Sequence, residues 1–322
     1  MARVLSHEVI KNMQKPVAQL PTNVPRSVLA NPDQASRRKE TVLGNWIADS
    51  MIRWYTNLRT PDMNNLPDLI FIMTGGSIRS GPEPNQTEIK QGDIIKLLPF
   101  GTPLCTLKMS GKDLWAVLEC ALDGWVKSSS DPPKNKKAGC FPVVSGLEVK
   151  WNSNESEKRI VSVRLLPSGT AVAQDDKVQY NVLTHTYISD GGDGLDPFKP
   201  YSEANKVYKT EVPIYQALLE VIRDISVKEA QKILQPAPAR DTSTSDSSKD
   251  VLSTLPLGLF GPLFPFGLIQ MVVEMAIEDR PLLMSETIFN QAVTIANATN
   301  LPELNIPLKV DGRMKDLSGN AV

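Results

Sequence analysis

The stretch LIFIMTGGSIRS, residues 69–80, joins an apolar run to two glycines and an arginine. The run from 69 to 73 is typical of a buried strand. The glycines can end that strand in a simple turn, because glycine reaches positive φ at little cost. They can also form a ligand loop, since bare backbone lets a bound group come close and the guanidinium of Arg79 can hold an oxyanion. Taken alone, residues 74–80 favour the turn.

The composition is ordinary for a globular protein, with 322 residues that are 41% apolar and 22% charged. The length suggests roughly two domains, at ~150 residues each. The net charge of −1 provides no basic field for nucleic acid or an anionic membrane. The three cysteines are widely spaced, so they predict neither a metal motif nor a disulfide framework.

The chain has two histidines, His7 and His185, which are far apart in sequence. Metal-dependent hydrolysis usually needs several imidazole or carboxylate ligands in one place. The sequence contains no HExxH, CxxC, GxxxxGKS, GxxxxGKT or GxSxG motif. These absences argue against a histidine-rich metal site, a P-loop and a nucleophile elbow within this sequence.

Hydrophobic periodicity predicts an alternation of helices and strands between residues 43 and 234. Apolar residues at a helical spacing predict helices over about 43–57, from 110–113 to about 125, and over 214–234. β-branched and alternating runs predict strands over 69–74, 104–109, 143–151, 159–166 and 179–185, with a polar loop over 128–137.

The two ends of the chain have a different character. Residues 236–250 are rich in Ser, Thr, Asp and Pro, which predicts a linker. The apolar segment 255–269 contains three prolines and three glycines, which argues against a membrane-spanning helix and favours a docking segment. The first 20 residues show no signal peptide, which fits a cytosolic protein and equally a chain cut at its N-terminus, so the compartment stays open.

Five motifs occur in one order between residues 40 and 198. ETVLGNWIAD at 40–49 resembles the "ETNLGNxIAD" helix start of the 5'-nucleotidase family's C-terminal domain. TGGSIR at 74–79 is similar to that family's "NGGGIR", and GDI at 92–94 with PFG at 99–101 resembles its "GDI…PFGN". FPVVSGL at 141–147 is similar to its "FlqvSGl". SDGGDG at 189–194 is similar to its "GGDG", which a Phe or Tyr follows.

This resemblance implies an α+β fold, with a mixed β-sheet and flanking helices, and a poorly structured C-terminal tail. It divides the chain into an interdomain remnant (1–36), the substrate-binding domain (37–235), a disordered linker (236–254) and an apolar segment with the tail (255–322). Family members carry a two-metal phosphoesterase domain before this one. We therefore expect no cofactor in this chain, since the divalent metals would sit in that N-terminal domain, whose ligand motifs this sequence lacks.

The resemblance also implies a set of substrate-binding residues. Arg79 matches the loop arginine that contacts substrate, and Arg37 or Lys39 matches a second, phosphate-facing arginine. Thr74 stands where the family has asparagine, and a hydroxyl keeps one ligand contact where the amide made two. The other matched positions are the loop glycines Gly75, Gly76, Gly191 and Gly192.

The family's two base-stacking aromatic residues are the main departure. Leu104 and Leu195 fill their positions, and leucine gives apolar contact without the stacking that is worth about 1–3 kcal/mol per base. The family pattern makes neither Phe100 nor Phe198 a replacement. Asp193 is either an acceptor for a ribose hydroxyl or an anchor of its own turn.

The resemblance thus predicts a 5'-nucleotidase-like protein that keeps the domain for binding a nucleotide or nucleoside and is inactive on its own. A separate chain with the metallophosphatase domain is a possible partner. The alternative is a non-catalytic interaction module with an altered pocket, which docks through the apolar segment 255–269.

Overall fold

The computed structural model describes residues 12–20, 31–59, 68–81, 86–129, 139–234, 306 and 310–319. The chain divides into two compact units, residues 1–222 with 303–322 and residues 223–302. Most of the second unit lies outside the described residues, as do the linker and the segment 255–269. Of the predicted polar loop 128–137, the first two residues belong to the helix that ends at Ser129, and the rest lies outside the described residues.

Ten strands and six α-helices lie in the described residues, in addition to a helical stretch over residues 12–14. In chain order the strands are β1 Pro16–Gln19, β2 Ile70–Thr74, β3 Glu88–Lys90, β4 Pro103–Ser110, β5 Pro142–Ser145, β6 Leu147–Trp151, β7 Ile160–Leu165, β8 Gln179–His185, β9 Tyr208–Pro213 and β10 Met314–Asp316. The helices are α1 Val42–Arg53, α2 Gln91–Leu97, α3 Gly111–Ser129, α4 Thr186–Ser189, α5 Lys199–Glu203 and α6 Ile214–Leu234. Short 3-10 turns cover Pro32–Arg37, Gly75–Ser77, Gly192–Gly194 and Asp196–Phe198, and a π-helical turn, Trp54–Arg59, continues α1.

The main sheet has the strand order β5-β2-β8-β4-β9. Its central strands β2 and β8 are parallel neighbours, and the other pairings are antiparallel. A second sheet has the order β10-β6-β7, and β1 pairs with β3 in a third. These mixed sheets with flanking helices are the α+β class that the sequence predicted.

The core lies between α3 and the strands, where the apolar stripes predicted from sequence are buried. Leu114, Val117 and Leu118 on α3 are fully buried, as a 3.6-residue stripe requires. The rings of Trp125, Phe141 and Trp151 pack edge to face, with centroids 5.3–6.4 Å apart.

The predicted strand 143–151 is two strands, β5 and β6, each in a different sheet. The break falls at Gly146, which has φ +77°, and a Cβ there would lie 2.5 Å from the Leu69 carbonyl oxygen. Alternation and β-branching continue across this glycine, so the sequence pattern alone did not indicate the corner. The predicted strand 179–185 and helix 214–234 match β8 and α6 residue for residue.

Two strands lie outside the segment 37–235 that we assigned to the substrate-binding domain. β1 pairs with β3, and Ala18 within β1 and Leu20 directly after it are buried. β10 comes from the tail and pairs in parallel with β6. The described part of the tail is therefore an element of the fold, and the division into four segments stays a prediction.

Candidate functional site

Sheet topology brings four loops to one edge of the main sheet. Since β2 and β8 are parallel neighbours, the loops that follow them, 75–80 and 186–195, leave at the same edge. β4 and β5 run antiparallel to these strands, so the loops that precede them, 98–102 and 139–141, arrive there as well. Four of the five motifs in the sequence have residues in these loops.

Arg79 lies at the end of the first loop and is partly buried. Its guanidinium donates to the carbonyl oxygens of Gly76 and Ile78, and it lies over the ring of Phe100, 4.7 Å from the centroid. Its main-chain N–H donates to the Leu97 carbonyl at 2.9 Å. Burial lowers the pKa of Arg79, as does the positive charge of Arg37, while Asp193 opposes both effects. The side chain is thus fixed in a site that contains a second cation.

The second cation is Arg37. Whether Arg37 or Lys39 matches the family's second arginine stays a prediction. A Cβ built on Gly139 would lie 2.9 Å from Nη2 of Arg37, so this guanidinium extends to the loop before β5. Another guanidinium nitrogen of Arg37 donates to Gln34 Oε1 at 2.9 Å. Lys39 is exposed. We call Arg37, Arg79, Gly76 and Asp193 the two-arginine site.

Glycine is required at positions 75 and 76 because other chain segments pass too close to leave room for a side chain. A Cβ on Gly75 would lie 1.8 Å from the carbonyl oxygen of Ser36, in the turn that positions Arg37. A Cβ on Gly76 would lie 2.9 Å from Oδ2 of Asp193. Their N–H groups donate to the carbonyls of Phe141 and Gly139, at 2.9 and 2.8 Å. The glycines therefore let three loops meet beside Arg79.

Asp193 joins the loop after β8 to the loop after β2. Its carboxylate accepts hydrogen bonds from Thr74 Oγ1 and, at 2.9 Å, from the hydroxyl of Tyr187. Its own N–H donates to the Tyr187 oxygen at 3.1 Å, and its φ is +52°. The carboxylate therefore connects two loops, and its residue lies in a left-handed turn. A role as acceptor for a ribose hydroxyl stays a prediction.

Ser77 and His185 form a second, buried connection, between the loop after β2 and the last residue of β8, since Ser77 Oγ lies 3.0 Å from His185 Nε2. The ring of Tyr187 stacks on His185, with centroids 6.2 Å apart and planes 11° apart. Burial lowers the pKa of His185 from 6.5 to about 4, although the charge of Asp193 opposes the shift. The imidazole is therefore neutral at pH 7.

The other predicted residues lie around this centre rather than in it. Thr74 is fully buried and supports Asp193. Leu104 and Leu195 are 0% and 1% exposed, so both side chains belong to the core and neither presents an apolar surface to a ligand. Gly191 and Gly192 shape the second loop. A Cβ on Gly191 would lie 2.5 Å from the side chain of Lys199, and a Cβ on Gly192 would lie 2.5 Å from Tyr187.

Two exposed aromatic residues lie at this edge. The family pattern did not favour Phe100, and Tyr187 was not among the residues predicted from the sequence. Phe100 is 44% exposed and contacts Arg79, and Tyr187 is 48% exposed and contacts Asp193. Phe100 lies within the motif at 99–101, and Tyr187 lies two positions before the motif at 189–194. An aromatic residue next to a glycine loop was therefore the sequence signal that could have indicated these two residues. Only the tertiary structure shows that Phe100 is exposed whereas Phe198 is fully buried.

The site combines two cations, one carboxylate and two aromatic faces. In the described part of the chain, no three His, Cys, Asp or Glu side chains are grouped so that they could hold a metal ion. Within the same residues, no helix has both the length and the apolar character needed to cross a membrane. The site can hold an anion on its guanidinium groups, and the carboxylate of Asp193 can accept a hydrogen bond from a hydroxyl group.

Fold and site together define an α+β domain with a candidate ligand site at one edge of its main sheet. The model of the family "5'-nucleotidase, C-terminal domain" matches residues 16–200, more than half of the chain. The chain belongs to this family.

Individual proteins agree with this assignment. The trifunctional nucleotide phosphoesterase protein YfkN of Bacillus subtilis is 28% identical over 199 residues, 61% of this chain and 12% of that protein. A 5'-nucleotidase of Diplobatis ommata is 30% identical over 173 residues, 51% of this chain and 28% of that protein. The crystal structure of a 5'-nucleotidase precursor from Thermus thermophilus matches with a TM-score of 0.53 and 25% identity, over 70% of this chain and 39% of that chain. The chain thus spans less than half the length of each of these three relatives.

Proposed function

We propose that this chain binds a nucleotide or nucleoside at the two-arginine site and does not hydrolyse it alone. The observation that carries the proposal is the pair of guanidinium groups, close enough for the charge of Arg37 to lower the pKa of Arg79. Two neighbouring cations repel each other, and an anion between them relieves that repulsion. A phosphate group suits the fork geometry of arginine.

The neighbouring groups supply the remaining contacts of such a ligand. Phe100 presents an exposed ring beside Arg79, on which a base can stack. Asp193 keeps acceptor capacity beyond its bonds to Thr74 and Tyr187, because a carboxylate has about four lone-pair sites. A ribose hydroxyl can donate to it. The proposal leaves Leu104 and Leu195 out of the ligand site, because both are buried.

We assign the chemical step to metals held by residues outside this sequence. The sequence carries two histidines and none of the metal-binding motifs sought above. The chain's share of the reaction is then to bind and orient the substrate, while a metallophosphatase domain supplies metal-activated attack on the phosphate ester.

Calorimetric titration of the purified chain with AMP and adenosine tests the binding proposal. We expect AMP to bind in the micromolar to millimolar range and more tightly than adenosine, because only AMP brings a phosphate to the arginines. Arg79→Ala should weaken AMP binding about tenfold or more, since a hydrogen bond to a charged group is worth about 1.5–3 kcal/mol. Arg164→Ala is the matched control, as Arg164 is exposed on β7 in the other sheet.

Two results would contradict the proposal. If neither ligand gives a heat signal, the pocket has lost its ligand, and the interaction module that docks through residues 255–269 becomes the better explanation. Phosphate release from AMP that survives metal chelation but disappears in Arg79→Ala would show that the chain is itself a metal-independent hydrolase.

A further inference from the structure

Two cysteines meet at the loop that carries Asp193. The thiol of Cys120, on α3, donates to the carbonyl oxygen of Gly194 at 2.9 Å. The thiol of Cys140, just before β5, donates to the carbonyl oxygen of Asp193 at 3.2 Å. The two acceptors belong to consecutive residues. Two reduced thiols that are 20 positions apart in sequence therefore contact two successive carbonyl oxygens of one loop of the candidate site.

We propose that Cys120 and Cys140 form a reversible disulfide when the protein meets a peroxide, and that this bond controls the loop 191–195. Cys120 is partly exposed and Cys140 is buried, which sets the order of the two steps. The Cys120 thiol loses its proton, and the thiolate attacks one oxygen of hydrogen peroxide and becomes a sulfenic acid. The O–O bond breaks, and the other oxygen leaves as hydroxide, which takes up the proton lost by Cys120 and forms water. The Cys140 sulfur then attacks the sulfenic sulfur, and the displaced hydroxide takes the Cys140 proton to form a second water. The two thiols together lose two electrons, which reduce the peroxide.

Cys105 provides an internal comparison. It is fully buried in β4, and burial raises the pKa of its thiol to about 11. Because the thiolate is the reactive form, Cys105 should stay reduced under mild oxidation. The expected chemistry is thus selective for one pair among the three cysteines of the chain.

Oxidation would alter the two-arginine site through the backbone. A disulfide has no S–H group, so the carbonyls of Asp193 and Gly194 both lose their thiol donors. The side chain of Asp193 holds Thr74 and Tyr187 in place, and a shift of its backbone displaces that arrangement. This consequence for ligand binding rests on the proposed function, whereas formation of the disulfide does not.

The test uses the full chain, reduced, desalted and exposed to hydrogen peroxide. Alkylation with a maleimide under denaturing conditions, followed by intact mass and peptide mapping, counts the remaining thiols. We expect three labelled cysteines before oxidation and one afterwards, Cys105, with a cross-link between the peptides of Cys120 and Cys140, and reduction should restore all three labels. Three labels after oxidation would overturn the proposal, as would a stable sulfinic acid without a cross-link, or a cross-link that involves Cys105 or a second copy of the chain.

Variants and titration complete the experiment. Cys105→Ser should keep the cross-link, and Cys120→Ser should abolish it. AMP titration should show at least a threefold loss of affinity on oxidation of the wild type, and no loss in Cys120→Ser. A cross-link with unchanged AMP affinity would overturn the control of the loop. Absence of AMP binding in the reduced protein would instead count against the proposed function, and the thiol count would still decide whether the disulfide forms.

Discussion

Single residues at the sheet edge decide whether the loops can meet, and Gly75 is the most constrained of them. A Cβ there would lie 1.8 Å from a backbone carbonyl oxygen, and no side-chain rotation can relieve that overlap. The turn that carries Arg37 would have to move away from the loop that carries Arg79. The glycine is thus required by the packing of two chain segments that are distant in sequence.

Gly75→Ala should therefore reduce the free energy of unfolding by about 1–3 kcal/mol, as overpacking of a tight site does. Chemical denaturation measured by tryptophan fluorescence reports the change. Gly101→Ala is the matched control, because a Cβ on Gly101 meets nothing within 4 Å. Equal stability of the two variants would mean that the approach of Ser36 is not maintained in solution.

At the scale of single residues, the burial of His185 makes the stability of the fold depend on pH. Its pKa is lowered to about 4 in the folded protein, so between pH 6.5 and about 4 the unfolded chain binds the proton and the folded protein does not. Lowering the pH through this window therefore destabilises the fold, by an amount of the order of 3 kcal/mol from this group. His185→Gln should flatten the pH dependence of the unfolding free energy over that range. An unchanged slope would show that the imidazole is accessible to protons in the folded state.

At the scale of elements, β10 is held to the domain by a group of charged residues. Arg313 is 7% exposed, and its guanidinium donates to Asp49 at 2.7 and 3.1 Å and to the Val144 carbonyl at 3.0 Å. Although burial lowers its pKa, hydrogen bonds to Asp311 and Asp49 outweigh burial, and the pKa is raised. The carboxylate of Glu40 accepts from the N–H groups of Gly312 and Met314, both at 3.2 Å. The motif at 40–49 thus fixes a strand that lies over 260 positions later.

Arg313→Ala should lower the free energy of unfolding by about 2 kcal/mol. The loss of charge-assisted hydrogen bonds is limited by water, because Asp49 and Asp311 are half-exposed. Lys315→Ala, at an exposed position of the same strand, is the control and should change little. Chemical denaturation measures the free energy of unfolding of both variants. If Arg313→Ala leaves this free energy unchanged, β10 contributes no stability through Arg313.

At the scale of the whole molecule, the first compact unit is discontinuous in sequence, because it contains residues 1–222 and 303–322. A truncation that removes everything after the linker would also remove β10. A test of the apolar segment 255–269 must therefore keep the last twenty residues of the chain.

Replacing residues 236–300 by a Gly/Ser linker of equal length should leave the thermal midpoint within about 2 °C, because the described core lies outside the replaced range. Truncation after Val310 should lower the midpoint by about 5 °C or more, at roughly 2–4 °C per kcal/mol for a domain of this size. Scanning calorimetry gives both values. A large drop in the linker variant would assign a stabilising role to the replaced residues. A loss of association with a partner in this variant, while the midpoint is kept, would favour the interaction module.

The sequence by itself determined the three longest described helices α1, α3 and α6, the strands β2, β4, β7 and β8, and the family. Apolar periodicity is a local property, so β8 and α6 could be predicted to the residue, and the ordered motifs identified the 5'-nucleotidase C-terminal domain. The sequence also indicated Arg79 and the glycine loops as parts of one site.

Only the tertiary structure decided which side chains share the site. Sheet order placed the loops after β2 and β8 side by side, and it put Leu104 and Leu195 in the core while leaving Phe100 and Tyr187 exposed. It also brought β10 back onto β6 and gathered Cys120 and Cys140 around one loop. These pairings depend on contacts between residues distant in sequence, and no local pattern specifies which distant segment will cover a given strand or loop.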